Sequence, residues 1–447
     1  MGFLKFLTLS IIFIFFSLPL KSEGIIINGA NDIPIKIPAE ASTGLDDIIV
    51  LSHMDNVSIV YERKFSGVFE WLEYSNLGGG YAQKVEDLEN SANVYTLKKP
   101  EGNRGYIIRD GNETYSFWLV DYSDYPLNFE NISPNIEESN CESTILNFSG
   151  KAAPIEYYTI NGKKEILSRD LNLKYTSLIW DETGKIFKVE SCNKSLTSID
   201  QNIILTPAVL CNTAFTLEGD RFLSKWGEGK TITSDSYHAI AVAAQTLFNS
   251  QDRNEEASNQ IGSGGSSGQS APFTVEFQSF VTDALIHFEW QFSIDPDFEN
   301  IINRFYTQDL DYTFTEEGNF YVRFIGSNAD GSCHSIGDPY EVSIGSSELL
   351  VPNAFSPNGD GINDIWKVAY RSLIEFKCSI FDRYGHEIFY FDDPDNGWDG
   401  KNGTKFVKPG VYYYIIEAKG SDGRLYKKSG DINIINSKQY SGGSYID

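Results

Sequence analysis

Pro352-Asn353-Ala354-Phe355-Ser356-Pro357-Asn358-Gly359-Asp360-Gly361-Ile362-Asn363-Asp364 opens the C-terminal part of this 447-residue chain. Two prolines and an Asn-Gly-Asp-Gly run rule out a helix and place a tight turn between extended segments. Working outward, Asp382-Arg383-Tyr384-Gly385 and Gly397-Trp398-Asp399-Gly400-Lys401 punctuate strand-like runs, and Pro409-Gly410 leads into Val411-Tyr412-Tyr413-Tyr414-Ile415-Ile416. The turn Gly420-Ser421-Asp422-Gly423 sends that run back as Arg424-Leu425-Tyr426-Lys427-Lys428, with Asp431 to Ile435 as a last strand. The pattern predicts a small antiparallel β-sandwich.

Taken in order, these motifs resemble the gliding motility-associated C-terminal domain, the type B sorting domain of the type IX secretion system. The resemblance covers residues 347–437, with 438–447 as a tail, and rests on Pro352, Asn353, Ala354, Phe355, Ser356, Pro357, Asn358, Gly359, Asp360, Gly361, Asn363, Asp364, Gly385, Trp398, Asp399, Gly400 and Gly410. It implies a folded secretion address, read by type IX machinery at the outer membrane, with the protein then attached to the cell surface or released. Whether the module is cleaved is left open.

Asn358, Asp360 and Asp364 also suggest the heart of a calcium loop, where oxygen ligands alternate and glycine permits a sharp turn. Aligned on an EF-hand, however, the twelfth position falls on Lys367, and the bidentate carboxylate is missing. The competing reading is a turn closed by side-chain to backbone hydrogen bonds with no ion. No other cofactor is suggested.

The N-terminus points the same way as the C-terminus. Lys5 precedes an apolar run from Phe6 to Leu20, closed by Pro19 and Lys21 and followed by the small residues Ser22 and Gly24. This reads as a secretory signal peptide over 1–22. No later run is long and apolar enough to span a membrane as a helix.

The formal charge is −26. Such acidity argues against nucleic acid as a partner, which needs clustered Lys and Arg. Five cysteines, Cys141, Cys192, Cys211, Cys333 and Cys378, are an odd number for an exported chain. Their spacing suggests Cys141 with Cys192 and Cys211 with Cys333, although sequence alone does not fix connectivity. Cys378 alternates with Phe376 and Ile380, which places it on a core-facing strand surface.

Between the two ends, short strand-like runs recur. Residues 23–136 read as a β-sandwich with Trp71 in its core. Residues 137–204 read as an immunoglobulin-like sandwich containing a hairpin at Asn161-Gly162. Residues 205–346 contain Phe273–Phe277, His287–Phe292, Tyr312–Phe314 and Phe320–Ile325 in the order of a PKD domain, which they resemble, with Trp290 at the core-tyrosine position. A polar and Gly/Ser-rich stretch at 251–270 is read as a long flexible loop, either joining two domains or lying inside one. The fold class is therefore all-β: tandem immunoglobulin-like and PKD-like sandwiches with a small C-terminal antiparallel sandwich.

No Gly-x-Ser-x-Gly, His-Glu-x-x-His, Gly-x-x-x-x-Gly-Lys or Cys-x-x-Cys is present, and the five histidines are scattered singly. The expectation is a non-enzymatic surface or secreted protein that binds an extracellular ligand, glycan or protein. The alternatives are a surface polysaccharide hydrolase, marked by paired carboxylates in a pocket, and a carbohydrate-binding protein, marked by an exposed aromatic row.

Overall fold

The computed structural model describes residues 20–21, 24–250, 259–261 and 269–435. Apart from residues 20–21, the expected signal peptide lies outside them, as do most of the 251–270 loop and the whole 438–447 tail. The chain divides into two compact units, residues 1–179 with 189–239, and residues 180–188 with 240–447.

The first unit begins with two sheets. One orders Leu20–Lys21, Ile25–Asn28, Ser58–Glu62, Val94–Leu97 and Leu88–Ser91. The other orders Ile35–Pro38, Asp47–Leu51, Glu113–Asp121, Arg104–Asp110, Phe69–Tyr74 and Gln83–Lys84, antiparallel except where Asp47–Leu51 runs parallel to Glu113–Asp121. Strand alternation sends Trp71, Tyr106, Ile108, Phe117 and Leu119 toward Ile25, Ile27, Ile59 and Tyr61 of the first sheet. Trp71 is thus a buried core residue. The opposite face of the same sheet, with Ile48, Val50, Leu72, Ile107, Trp118 and Val120, joins a second core that includes Leu146, Ile155, Leu171, Leu217 and Phe222. A sheet buried on both faces explains why Ile48 to Leu51 reads as an unbroken apolar run.

The second core belongs to the next domain. Its strands form three sheets: Asn128–Asn135, Thr144–Lys151 and Ile203–Leu205; the hairpin Ile155–Tyr158 with Lys164–Leu167; and Ile186–Leu196, Leu171–Asp181, Thr216–Gly219 and Lys230–Thr233. The hairpin forms at Asn161-Gly162 as expected, with Tyr158 opposite Lys164 and Gly162 at φ 77°. The expected boundary at residue 204 falls inside this domain. The irregular stretch after Leu205 is a connection between sheets, and Thr216–Gly219 then pairs with Leu171–Asp181.

A buried charge cluster ties this domain to the segment that follows Glu113–Asp121. Arg169 and Asp220 are both fully buried, with Arg169 Nη1 2.7 Å from Asp220 Oδ2. Arg169 also donates to Tyr122 Oη, Tyr125 O and Ala153 O at 3.1, 2.6 and 2.7 Å. Asp220 accepts from Tyr122 Oη at 2.8 Å and caps the short helix Arg221–Trp226 through the N–H groups of Phe222 and Leu223.

Two sheets form the first part of the second unit: Ala244–Ser250, Phe273–Val281 and Leu310–Phe314; and Ile301–Phe305, His287–Ser293, Gly318–Ser327 and His334–Ile336, with Tyr340–Ile344 also on Gly318–Ser327. Trp290 is buried between them and donates from Nε1 to Gln308 O. Residues 259–261, expected to be part of a free loop, instead lie against the C-terminal domain. Asn259 Nδ2 donates to Val368 O and Pro394 O, and Ile261 N donates to Tyr370 O.

The cysteines depart from the expected pairs. Cys192, Cys211 and Cys378 are free, so neither Cys141 with Cys192 nor Cys211 with Cys333 forms. Cys192 lies in strand Ile186–Leu196 in hydrogen-bond contact with the Tyr175 side chain, and the Cys211 Sγ lies 3.8 Å from Thr176 Oγ1. Residue spacing carried no record of which strands these thiols would face.

Candidate functional site

The C-terminal sheet orders Ala354–Phe355, Leu425–Ile434, Gly410–Gly420, Leu373–Phe381 and Glu387–Phe391. The run expected as two short strands after Gly423 is one, Leu425–Ile434. One face carries Phe376, Cys378, Ile380, Ile416, Ile432 and Phe391 into the domain core. Burial pushes the Cys378 thiol up to about 12, as suits an inert core residue.

The first and third motifs meet at one end of this core. Phe355 is buried against Trp398, their rings 5.4 Å apart, and Trp398 packs edge-on against Tyr412. Trp366 and Trp398 exchange backbone hydrogen bonds of 2.9 and 3.0 Å, while their indole N–H groups donate to Pro352 O and Lys401 O. Asp399 pairs with Lys401. Gly397 is required because a Cβ there would sit 2.6 Å from Trp366 O. Gly400, at φ 77°, lies where a Cβ would touch Pro357. Asn353 O accepts from Asn433 N at 2.8 Å, which fixes the start of the motif on the sheet.

The Ser356–Asp364 turn closes on itself. Ser356 N donates to Asn363 O, Asp364 accepts from Gly359 N and Gly361 N, and Asp360 accepts from Ile362 N and Asn358 Nδ2. The Ile362 N–H, with Asn358, holds the Asp360 carboxyl below its ordinary range. The oxygens proposed as calcium ligands are aimed at N–H donors within the turn. Among the described residues no group of three or more His, Cys, Asp or Glu side chains is arranged to hold a metal ion.

The second and fourth motifs meet on the opposite, solvent-facing side of the sheet. Asp382 accepts from Tyr384 N, His386 N and His386 Nδ1 at 2.8, 2.9 and 3.0 Å. Desolvation alone would raise the Asp382 carboxyl, but the donors from His386 and Tyr384 outweigh it and hold it below the usual range. Gly385, at φ 85°, turns the chain, and the Arg383 guanidinium lies 4.8 Å from the Tyr384 ring. Asp382 and Arg383 form the wall shared by two open cavities. One, of about 680 Å³, is lined by Phe381, Tyr413, Ile415 and Asp431. The other, of about 530 Å³, is lined by Tyr384, Ile388, Pro409 and Val411.

Register explains this surface. Tyr413 lies opposite Phe381 on one neighbour and Asp431 on the other, while Ile415 lies opposite Ser379 and Ser429. Val411, Tyr413 and Ile415 therefore share the outer face and remain about half exposed. The motifs named Gly385 and Gly410 but missed Phe381, Ile415 and Asp431. A strand apolar on both faces, Val411 to Ile416, was the signal available.

Residues 349–434 match the family model of the CHU_C type IX secretion signal domain, and residues 133–234 match that of a fibronectin type III domain. The C-terminal module is accordingly a type IX secretion signal domain, preceded by a fibronectin type III-like domain. This implies handling by the type IX secretion machinery and export to the cell surface or the extracellular space. No curated protein matches the chain. Similar solved structures include a tetra-tandem repeat in the extending region of a large adhesion protein (11% identity, covering 87% of this chain and 98% of that chain, TM-score 0.21). Another is the three N-terminal domains of the bacteriophage RB49 highly immunogenic outer capsid protein (10% identity, covering 70% of this chain and 100% of that chain, TM-score 0.23). No described helix is long and apolar enough to cross a membrane.

Proposed function

With a type IX secretion signal domain at residues 349–434, we propose that this protein is a non-enzymatic adhesive or ligand-binding array, delivered through the outer membrane and displayed on the cell surface or released. The observation that carries the reading is the pairing of that export module with tandem β-sandwiches, in a chain that buries five of its seven tryptophans, Trp180 and Trp226 being half-buried. Trp71, Trp118, Trp290, Trp366 and Trp398 are all buried, rather than laid out as a sugar-stacking row. The cavity carboxylates fit poorly with glycosidase chemistry. Asp382 is held ionised by three donors, the reverse of the raised acid that glycoside hydrolysis needs, and Asp431 accepts from Asn433 Nδ2.

The test compares cells making the full chain with cells making a chain that ends at residue 346. Full-length protein is expected at the surface or in the medium, where it increases attachment to immobilised glycan or protein. The truncated form is expected to stay in the periplasm. Surface delivery of the truncated form would remove the sorting role, and turnover of a polysaccharide by purified protein would replace adhesion with hydrolysis.

A further inference from the structure

Strand Ile186–Leu196 ends its sheet. Among the described residues it is ordered next to Leu171–Asp181 and no other strand. At 11 residues it is the longest of the edge strands before residue 240, and its residues 189–196 belong to the first unit. An unpaired edge offers a row of backbone donors and acceptors to another chain, and proteins usually blunt long edges with proline, bulges or charged side chains, unless those charges find complementary partners across the edge. The next longest edge of that unit, Asn128–Asn135, carries Pro134 and an irregularity between Phe129 and Asn131. Ile186–Leu196 contains no proline or glycine, is mostly exposed, and presents Val189 at 68% exposure.

Of its three charges, Lys188 is paired with Asp181, and the other two are arranged symmetrically. Glu190 and Lys194 stand two residues before and two after Cys192. With a side-chain period of two, all three share one face. Glu190 makes no ion pair among the described residues, while Lys194 uses one of its three donors on Ile204 O at 2.7 Å.

We infer that this edge pairs with the same edge of a second copy of the chain, antiparallel and centred on Cys192. The two-fold operation places Glu190 of each copy opposite Lys194 of the other, Val189 opposite Ser195, Ser191 opposite Asn193, and Cys192 opposite its own counterpart. Backbone hydrogen bonds supply the association, and the two ion pairs set direction and register. Registers shifted by two residues in either direction break both ion pairs. The inference does not depend on what the array binds.

Sedimentation velocity on the purified full chain tests it with Glu190→Lys, Lys194→Glu and the double variant. Each single variant places like charges opposite each other twice and should associate about tenfold or more weakly than wild type. The double variant restores opposite charges and should dimerise. An equimolar mixture of the two single variants should form a heterodimer, a recovery that a folding defect does not produce. Wild type that is monomeric throughout the concentration series, or variants that all associate alike, would overturn the inference. Mild oxidation with diamide checks the register. The two Cys192 thiols lose two protons and two electrons to the azo compound, which becomes a hydrazine, and a disulfide-linked dimer forms. Its absence in wild type, or its persistence in Cys192→Ser, would refute the centring on Cys192.

Discussion

Replacing Arg169 by methionine is the sharpest test of how the first unit is held together. The methionine occupies much of the volume but removes every hydrogen bond that the guanidinium gives to Asp220, Tyr122, Tyr125 and Ala153. Removing one partner of a buried ion pair costs about 3–5 kcal/mol, because the remaining charge stays desolvated. The orphaned carbonyls, Tyr125 O and Ala153 O, sit in part-buried bonds where water can replace the lost donor, and add little to this. Asp220 keeps donors from Tyr122, Phe222 and Leu223, which offsets part of the loss. A net loss of about 4 kcal/mol follows. For a unit of this size it corresponds to a midpoint lower by about 8–16 °C. Urea unfolding followed by tryptophan fluorescence measures it. Replacing both charges, Arg169→Met with Asp220→Leu, should recover about 2 kcal/mol relative to the single variant, because removing the uncompensated charge outweighs the loss of the helix cap and of the Tyr122 hydroxyl's acceptor. A single variant within about 1 kcal/mol of wild type, or a double variant less stable than the single, would refute the argument.

Other outcomes follow from the same geometry. Gly397→Val drives a Cβ to within 2.6 Å of Trp366 O and should disrupt the Trp366–Trp398 exchange; periplasmic accumulation of that variant in fractionated cells is the expected readout, and normal surface delivery would contradict it. Cys378, buried with its thiol pushed up to about 12, should resist iodoacetamide in native protein at pH 8, whereas the half-buried Cys192 and Cys211 react first; peptide mass spectrometry reads the order. Asp110 is buried. Desolvation alone would raise its carboxyl, but hydrogen bonds from Lys64 N, Phe65 N, Arg63 and Tyr61 lower it overall. Its folded-state value is depressed, so its contribution is fully present above about pH 4 and is lost as pH falls through the folded value. Asp110→Asn should lower stability at pH 7 and flatten the acid limb of a pH titration of unfolding; an unchanged acid limb would count against this role.

Local signals were legible in the sequence because they need only neighbouring residues. The Asn161-Gly162 hairpin, the Gly420–Gly423 turn and the core placement of Trp71 and Cys378 follow from turn chemistry and a two-residue period, while the C-terminal motifs were legible through their resemblance to a known sorting domain. Tertiary structure decided the rest, because it depends on which elements face each other. The Asp47–Leu51 sheet is buried on both sides only because a second domain packs on it, and that domain runs past residue 204 because Thr216–Gly219 returns to pair with Leu171–Asp181. Arg169 and Asp220 are 51 residues apart and carry no pattern that predicts their pairing. The cysteines likewise could not be paired by spacing, since a disulfide needs two Cβ atoms a few ångströms apart. The sequence by itself determined an all-β chain ending in a type IX secretion signal domain. Folding decided that Asp382–Gly385 and Pro409–Tyr414 share one exposed surface, because strand register, not distance along the chain, sets which side chains meet.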